Sequence, residues 1–196
     1  MGTIQTINFS EARAKFKDVL DTVIEDEVTY VVTSIYRRSV VILSVPEYNG
    51  LGETLHLLSS NANAARLRSA VLDVAANRCA VASFAPRTGS LLCDRAIRFT
   101  PGALEDWAWW ERADSIGRAR LKRILEKLNG LQRAYLLERS VPLGRELAGF
   151  RTMVIQGNHR FVFRLDDDDV IAIQCKFHHG NGIGVNGSGY GSGTPS

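Results

Sequence analysis

The chain has 196 residues, 45% hydrophobic and 23% charged, with a formal net charge of +3. That is the composition of an ordinary globular protein, long enough for one large domain or two small ones. Apolar runs such as Val40-Val41-Ile42-Leu43 are far too short to span a bilayer, so no membrane partner is expected.

Charge is uneven along the chain. Residues 1–78 carry 8 Lys and Arg against 9 Asp and Glu, a net of −1. Residues 96–179 carry 14 against 11, a net of +3, and a basic half suits an approach to RNA. Cys79, Cys93 and Cys175 have neither metal-ligand spacing nor an even disulfide count, which fits a reducing cytoplasm. The N-terminus lacks the apolar stretch of a signal peptide, so a cytoplasmic location is expected.

In chain order, Thr3 to Asn8 alternates like a short strand. Ser10 then offers a helix N-cap, with Glu11 favouring the positive helix end. Ala12, Phe16, Val19, Leu20, Val23 and Ile24 form an amphipathic stripe. Thr29 to Thr33 and Ser39 to Ser44 are β-branched runs that read as a hairpin, with Arg37 and Arg38 near its tip. Pro46 opens a short helix with Tyr48 and Leu51, and further helix follows over Leu55 to Leu58 and Asn61 to Val74. The result is a β-α-β-β-α unit (1–52) with a helical tail (53–77). Leu55, Leu57, Leu58, Leu67 and Val71 form an apolar series in that tail with no core of its own. It must bury against something, and residues 96–179 are the expected surface.

The segments INFSEARAKFKDVLDTVIED, VVILSVPEYNGLGETLHLLSS and NANAARLRSAV resemble the Phd/YefM family of antitoxins over about residues 3–76. The resemblance implies a homodimer that binds operator DNA through its N-terminal domain. It also implies a helical segment that wraps and silences a toxin, here through Leu55, Leu58, Leu67 and Val71. Arg13 falls on the family's DNA-contacting arginine. A second basic residue of the family is Ser34 here, and Arg37 and Arg38 are placed to supply that charge. On pattern alone, Arg13 reads better as a solvated helix face, and the two hairpin arginines as protection of a strand edge.

Residues 78–95 lose all periodicity and read as a linker. A flexible chain of about 18 residues spans on the order of 25 Å, enough for the helical tail to fold back.

The second unit, 96–179, begins with a strand, Ala96 to Thr100. Pro101 suits a first helical turn, with Thr100 as N-cap. Leu104, Trp107, Ala108 and Glu111 share a face, and Trp109 and Trp110 widen an aromatic patch that reads as core. A longer helix is expected over Ile116 to Leu136, with a basic side at Arg118, Arg120, Lys122, Arg123 and Lys127. Three strands then follow: Met153 to Gln156, Arg160 to Leu165 and Val170 to Phe177. In an antiparallel sheet, Arg160 at the start of one strand and His178 at the end of the next meet at one edge. A permanently charged guanidinium beside an imidazole that titrates near neutrality suits phosphodiester cleavage. The plain alternative is a surface arginine and a frayed terminal histidine.

This unit resembles the YoeB-type toxins of the RelE superfamily. The resemblance rests on Glu105-Asp106-Trp107 with Trp110, Leu147-Ala148-Gly149-Phe150, His159-Arg160-Phe161-Val162-Phe163 and Cys175-Lys176-Phe177-His178. It implies two helices packed on a small antiparallel sheet, and a ribosome-dependent endoribonuclease that cuts mRNA by 2′-OH attack. Arg160 and His178 fall on the family's catalytic arginine and histidine. Four positions depart from the pattern. Val141 replaces the general-base glutamate, Gly144 a basic residue, Val154 an arginine and His179 the terminal aromatic. Glu138 is the nearest upstream carboxylate. Losing a general base typically forfeits about 10²–10⁴ in rate.

Residues 180–196 are Gly-rich and read as a disordered tail. No Gly-rich phosphate loop or metal cluster is present in the sequence, so no cofactor and no metal are expected. The whole reads as an α+β antitoxin–toxin fusion, with operator DNA, ribosome and mRNA, and a second copy of itself as partners. The rival reading is a repressor whose toxin fold is catalytically dead and serves only as an interaction module.

Overall fold

The structure, a computed structural model, describes residues 3–34, 38–81, 96–113, 115–167 and 169–179. The expected hairpin-tip Arg37, linker residues 82–95 and the Gly-rich stretch 180–196 lie outside the described residues.

The N-terminal unit is a three-stranded sheet, β1 (Ile4–Asn8), β2 (Thr29–Thr33) and β3 (Ser39–Ile42), in that order. β1 runs parallel to β2 and β2 antiparallel to β3. A parallel pair needs a crossover. Here it is helical and broken in two, α1 (Phe9–Ala14) and α2 (Phe16–Glu25), with Lys15 between them. The N-cap is Asn8, not Ser10: the Asn8 carboxamide oxygen accepts from the Glu11 backbone N–H at 2.9 Å. Asparagine caps as well as serine, and Asn8 lies at the extended end of β1, leaving Ser10 inside the helix. Ile7, Ala12, Val19 and Val32 form a small core.

Ser44 caps α3 (Val45–Leu58) and Ser60 caps α4 (Asn61–Ala75), each hydroxyl accepting from the backbone N–H three residues on. The short helix expected at Pro46 and the run at Leu55 are thus one helix, because proline at the first turn leaves the ladder intact.

The second unit is built on six strands in the order β4 (Ala80–Val81), β5 (Ala96–Phe99), β9 (Asp169–Gln174), β8 (His159–Leu165), β7 (Arg151–Gln156) and β6 (Val141–Pro142). All neighbours are antiparallel except β5 and β9, which run parallel. After β5 a long helical crossover carries the chain to β6 at the far edge, and three antiparallel reversals bring it back to β9, which lands parallel to β5. That crossover holds α5 (Pro101–Ala113), α6 (Ser115–Gly130) and α7 (Arg133–Arg139). The single helix expected over Ile116 to Leu136 divides after Gly130, where Gln132 turns extended.

Alternation along β8 sorts its side chains to two faces. Phe161 and Phe163 join Phe99, Trp107, Trp110, Leu121, Leu125 and Ile155 in the main core beneath α5 and α6. Trp110 is 1% exposed and its indole N–H donates to the Cys175 carbonyl at 2.7 Å. A Cβ at Gly117 would run into the Trp110 ring, so glycine there lets α6 approach α5. Val162 lies on the opposite face, in a second core with Leu143, Leu147, Phe150 and Ile173. Leu57, Leu67 and Ala70 of α3 and α4 complete that core, with Leu58, Val71 and Val74 packed at its margin. The sheet is thus a middle layer, with α5–α6 on one side and α3–α4 on the other.

Candidate active site and its covering helices

Arg160 belongs to the face of β8 that α3 covers. Its guanidinium forms a two-point ion pair with Glu53 of α3, Nε to Oε2 at 2.7 Å and Nη2 to Oε1 at 3.2 Å. Nη1 donates to the Gly157 carbonyl at 2.7 Å. The Arg160 side chain is only 12% exposed and that of Glu53 22%. A fork–fork pair of this kind fills the donor edge that an arginine otherwise turns to a phosphate.

The α3 helix is seated on β6 and the turn after it. Gly50 lies so close that a Cβ would come 2.5 Å from the Pro142 carbonyl oxygen. The buried Thr54 hydroxyl donates to the Gly50 carbonyl at 2.6 Å and accepts from the Gly144 N–H at 2.9 Å. Val154 is the cross-strand partner of Arg160, and Val141 that of Thr152. Val141 and Val154 line one cleft together with Glu53. Three positions where the sequence departs from the toxin pattern, Val141, Gly144 and Val154, therefore lie where α3 docks.

His178 is held by different groups. β9 ends at Gln174, and the chain then turns so that His178 Nε2 lies 2.7 Å from Asp106 Oδ1 of α5. Asp106 is 2% exposed, and its other oxygen accepts from the backbone N–H groups of Cys175 and Lys176 at 3.1 and 3.2 Å. The start of α4 grips the same segment. Asn63, fully buried, accepts from the His178 N–H at 2.9 Å and from Gln174 Nε2 at 2.8 Å. Ser60 donates to the His178 carbonyl at 2.8 Å. Arg66 adds ion pairs to Glu105 at 3.0 Å and to Asp106 at 3.4 Å. Arg160 and His178 thus make no hydrogen bond to each other. The strand stops before the register can bring them side by side, and α3 and α4 each engage one.

All four histidines gather near this edge. His56 stacks on Phe177 with ring centroids 5.0 Å apart, and Phe177 lies 4.9 Å from His179. His159 Nδ1 accepts from the Phe177 N–H at 3.0 Å. Burial holds the His159 imidazole below its ordinary range, and the neighbouring His179 and Lys176 push the same way. Burial also drives the Cys175 thiol well above its usual range. Arg151, one strand over, is turned inward: it donates to Ser140 Oγ and to the carbonyls of Leu137 and Ser140, each at 2.7 Å, and so fastens β7 to the end of α7.

Glu138 is exposed on α7 and is not among the residues lining the cleft beside Arg160; the carboxylate that lines it is Glu53. Arg13 and Arg38 are exposed, each without a side-chain partner among the described residues; the Arg38 carbonyl closes the β2–β3 turn by accepting from Ser34. Of the tail leucines, Leu67 is fully buried, and Leu58 and Val71 flank the second core. Leu55 is 57% exposed and takes no part in that core. Leu57, two residues on, is the buried one, because its helix face is the one that meets the sheet. Glu53 escaped the sequence reading of the site. It stands in the sequence only within the segment VVILSVPEYNGLGETLHLLSS, and its partner lies 107 residues along the chain.

A family model described as Antitoxin Phd_YefM, type II toxin-antitoxin system, matches residues 4–77, and one for the YoeB-like toxin of bacterial type II systems matches residues 99–179. Toxin YoeB of Mycobacterium bovis is 32% identical over 87 residues, 43% of this chain and 99% of that protein. Antitoxin YefM of Escherichia coli K12 is 37% identical over 68 residues, 35% of this chain and 82% of that protein.

The chain belongs to both families. It is a YefM-like antitoxin and a YoeB-like toxin of a type II toxin–antitoxin system fused in one polypeptide. Among solved structures, a YoeB–YefM complex from Staphylococcus aureus aligns at 29% identity with a TM-score of 0.40, covering 42% of this chain and 91% of that one. Among the described residues, no helix is long and apolar enough to cross a membrane, and no group of three or more His, Cys, Asp or Glu side chains is placed to hold a metal ion.

Proposed function

We propose that this fusion is a self-inhibited protein, in which the YefM-like part binds operator DNA and its helices α3 and α4 hold a weakened YoeB-like ribonuclease closed. The observation that carries this reading is the Glu53–Arg160 pair. Cleavage by 2′-OH attack requires that the nucleophile lose a proton, that the leaving 5′-oxygen gain one, and that a cation match the charge on the phosphorane. Arg160 is the cation and His178 the proton carrier. Glu53 occupies the first with a carboxylate, a mimic of the phosphate in charge and fork geometry. The Ser60, Asn63 and Arg66 contacts fix the second against Asp106.

A second reading is favoured by a specific observation. Val141 and Val154 give the cleft beside Arg160 an apolar wall where the family resemblance places a carboxylate and a cation. In that case the toxin fold only buries α3 and α4, and the chain acts as a DNA-binding regulator.

The two readings separate in the full chain. A fragment lacking α3 and α4 would expose Leu143, Leu147, Phe150, Val162 and Ile173, so loosening substitutions are the cleaner tool. Under the first reading, Glu53→Ala with Arg66→Ala gives slow mRNA cleavage on translating ribosomes by primer extension. Adding Val141→Glu raises it by about 10²-fold, and His178→Ala abolishes it. No cleavage by the loosened chain, even with Val141→Glu, leaves the second reading. Full-rate cleavage by the unaltered chain overturns self-inhibition.

A further inference from the structure

The cleft beside the Glu53–Arg160 pair is larger than inhibition requires. It is a cavity of about 360 Å³ between α3, α6, α7, β6 and β7. Pockets for small organic ligands start near this size, roughly 300 Å³. Its base is formed by Leu136 and Thr152, 1% and 2% exposed. The Thr152 hydroxyl is buried there with no hydrogen-bond partner. Val141, Met153 and Val154 make the wall apolar. At the rim stand two exposed cations, Lys127 and Arg139, and the Arg139 guanidinium lies 5.2 Å above the Tyr135 ring. The single acid of the lining, Glu53, is already matched by Arg160.

We infer that this cleft binds a small aromatic anion, a flat ring system bearing one carboxylate or sulfonate. The ring lies against Tyr135 and the valine wall, and the anion meets Lys127 and Arg139. A nucleic-acid strand suits the site less well. Glu53 places a carboxylate at Arg160, and α3 closes that side through the Gly50–Pro142 approach, so a polyanion threading past meets charge and backbone.

The test is a fluorescence titration of the full chain with 8-anilinonaphthalene-1-sulfonate, with uncharged N-phenyl-1-naphthylamine as control and a thermal melt to verify folding of each variant. The expected result is saturable one-to-one binding of the sulfonate and at least about tenfold weaker binding of the control. Lys127→Glu with Arg139→Glu, both on the exposed rim, weakens binding by about tenfold or more. Glu53→Gln, which removes the one acid of the lining, tightens it. Absence of one-to-one binding, or binding indifferent to the rim reversal, overturns the proposal. So does displacement of the dye by a ten-residue oligouridylate with the same dependence on the rim, which would mark an RNA site instead.

Discussion

At the scale of single residues, the Glu53–Arg160 pair and the His159 ring make opposite demands on charge. The pair is mostly buried, so removing one partner strands the other in a poorly solvated place. Glu53→Ala is expected to destabilise by on the order of 2–3 kcal/mol, and Glu53→Leu with Arg160→Met by much less. Urea unfolding of the two single variants and the double gives the coupling; a coupling near zero would mean that the pair is spread over solvent. His159 behaves inversely. Its folded pKa lies below the ordinary value, so the unfolded chain binds the proton first as pH falls. The stability it contributes is complete above about pH 6.5 and is lost as pH drops toward the lowered folded value. A proton on Nδ1 would also break the bond from the Phe177 N–H. The melting temperature of the native chain should therefore fall between about pH 7 and about pH 5, and His159→Gln should flatten that fall. Comparing the two proteins separates this ring from His56, His178 and His179.

At the scale of elements, α3 shows how a helix can be half legible from its sequence. The apolar run Leu55, Leu57 and Leu58 announces that something must cover it, yet three neighbouring leucines do not say which side is inside. The structure answers with Leu57 at 0% exposure and Leu55 at 57%. Leu57→Ala and Leu67→Ala should each cost about 2–5 kcal/mol, since each leaves a cavity against Val162 and Ile173. Leu55→Ala should stay within about 0.5 kcal/mol. Equal losses at Leu55 and Leu57 by chemical denaturation would place the wrong face on the sheet. Strands and helices of the second unit were readable because alternation and amphipathic spacing are local. The position of His178 was not. It depends on β9 ending at Gln174, and on Asp106, Ser60 and Asn63 arriving from three other stretches of the chain. Glu53 was hidden for the same reason, being a site residue only by virtue of a distant docking. Ser10 lost its expected cap role to Asn8 because two equally good capping residues stood within one turn.

At the scale of the molecule, the N-terminal sheet has a small core of its own and keeps its own exposed arginines. Arg13 on α1 and Arg38 beside the β2–β3 turn are exposed. If they meet DNA phosphates, as the antitoxin resemblance implies, affinity for a palindromic upstream fragment should fall steeply with salt. Arg13→Ala should reduce both the affinity and that slope. Fluorescence anisotropy over a salt series checks this, and equal affinity for random DNA at moderate salt would remove operator binding from the account. Variants at Arg160 and His178 should leave the anisotropy curves unchanged, because both residues belong to the YoeB-like unit.

The short strand β4 ties these layers together. Ala80 and Val81 follow α4 directly and pair with β5 at the outer edge of the toxin sheet, so the covering helices and the covered site belong to one polypeptide. Under the proposed self-inhibition, the kinetics are unimolecular. Two separate proteins part on dilution, and their ratio drifts whenever one is made or destroyed faster. Here the ratio is fixed at one to one by synthesis, and a short tether holds the inhibitor at an effective concentration on the order of millimolar. The open fraction is the same at nanomolar and at millimolar protein, set by the opening equilibrium of α3 and α4 alone. Overproduction of the chain raises the amount of open toxin in simple proportion and never titrates the inhibitor away.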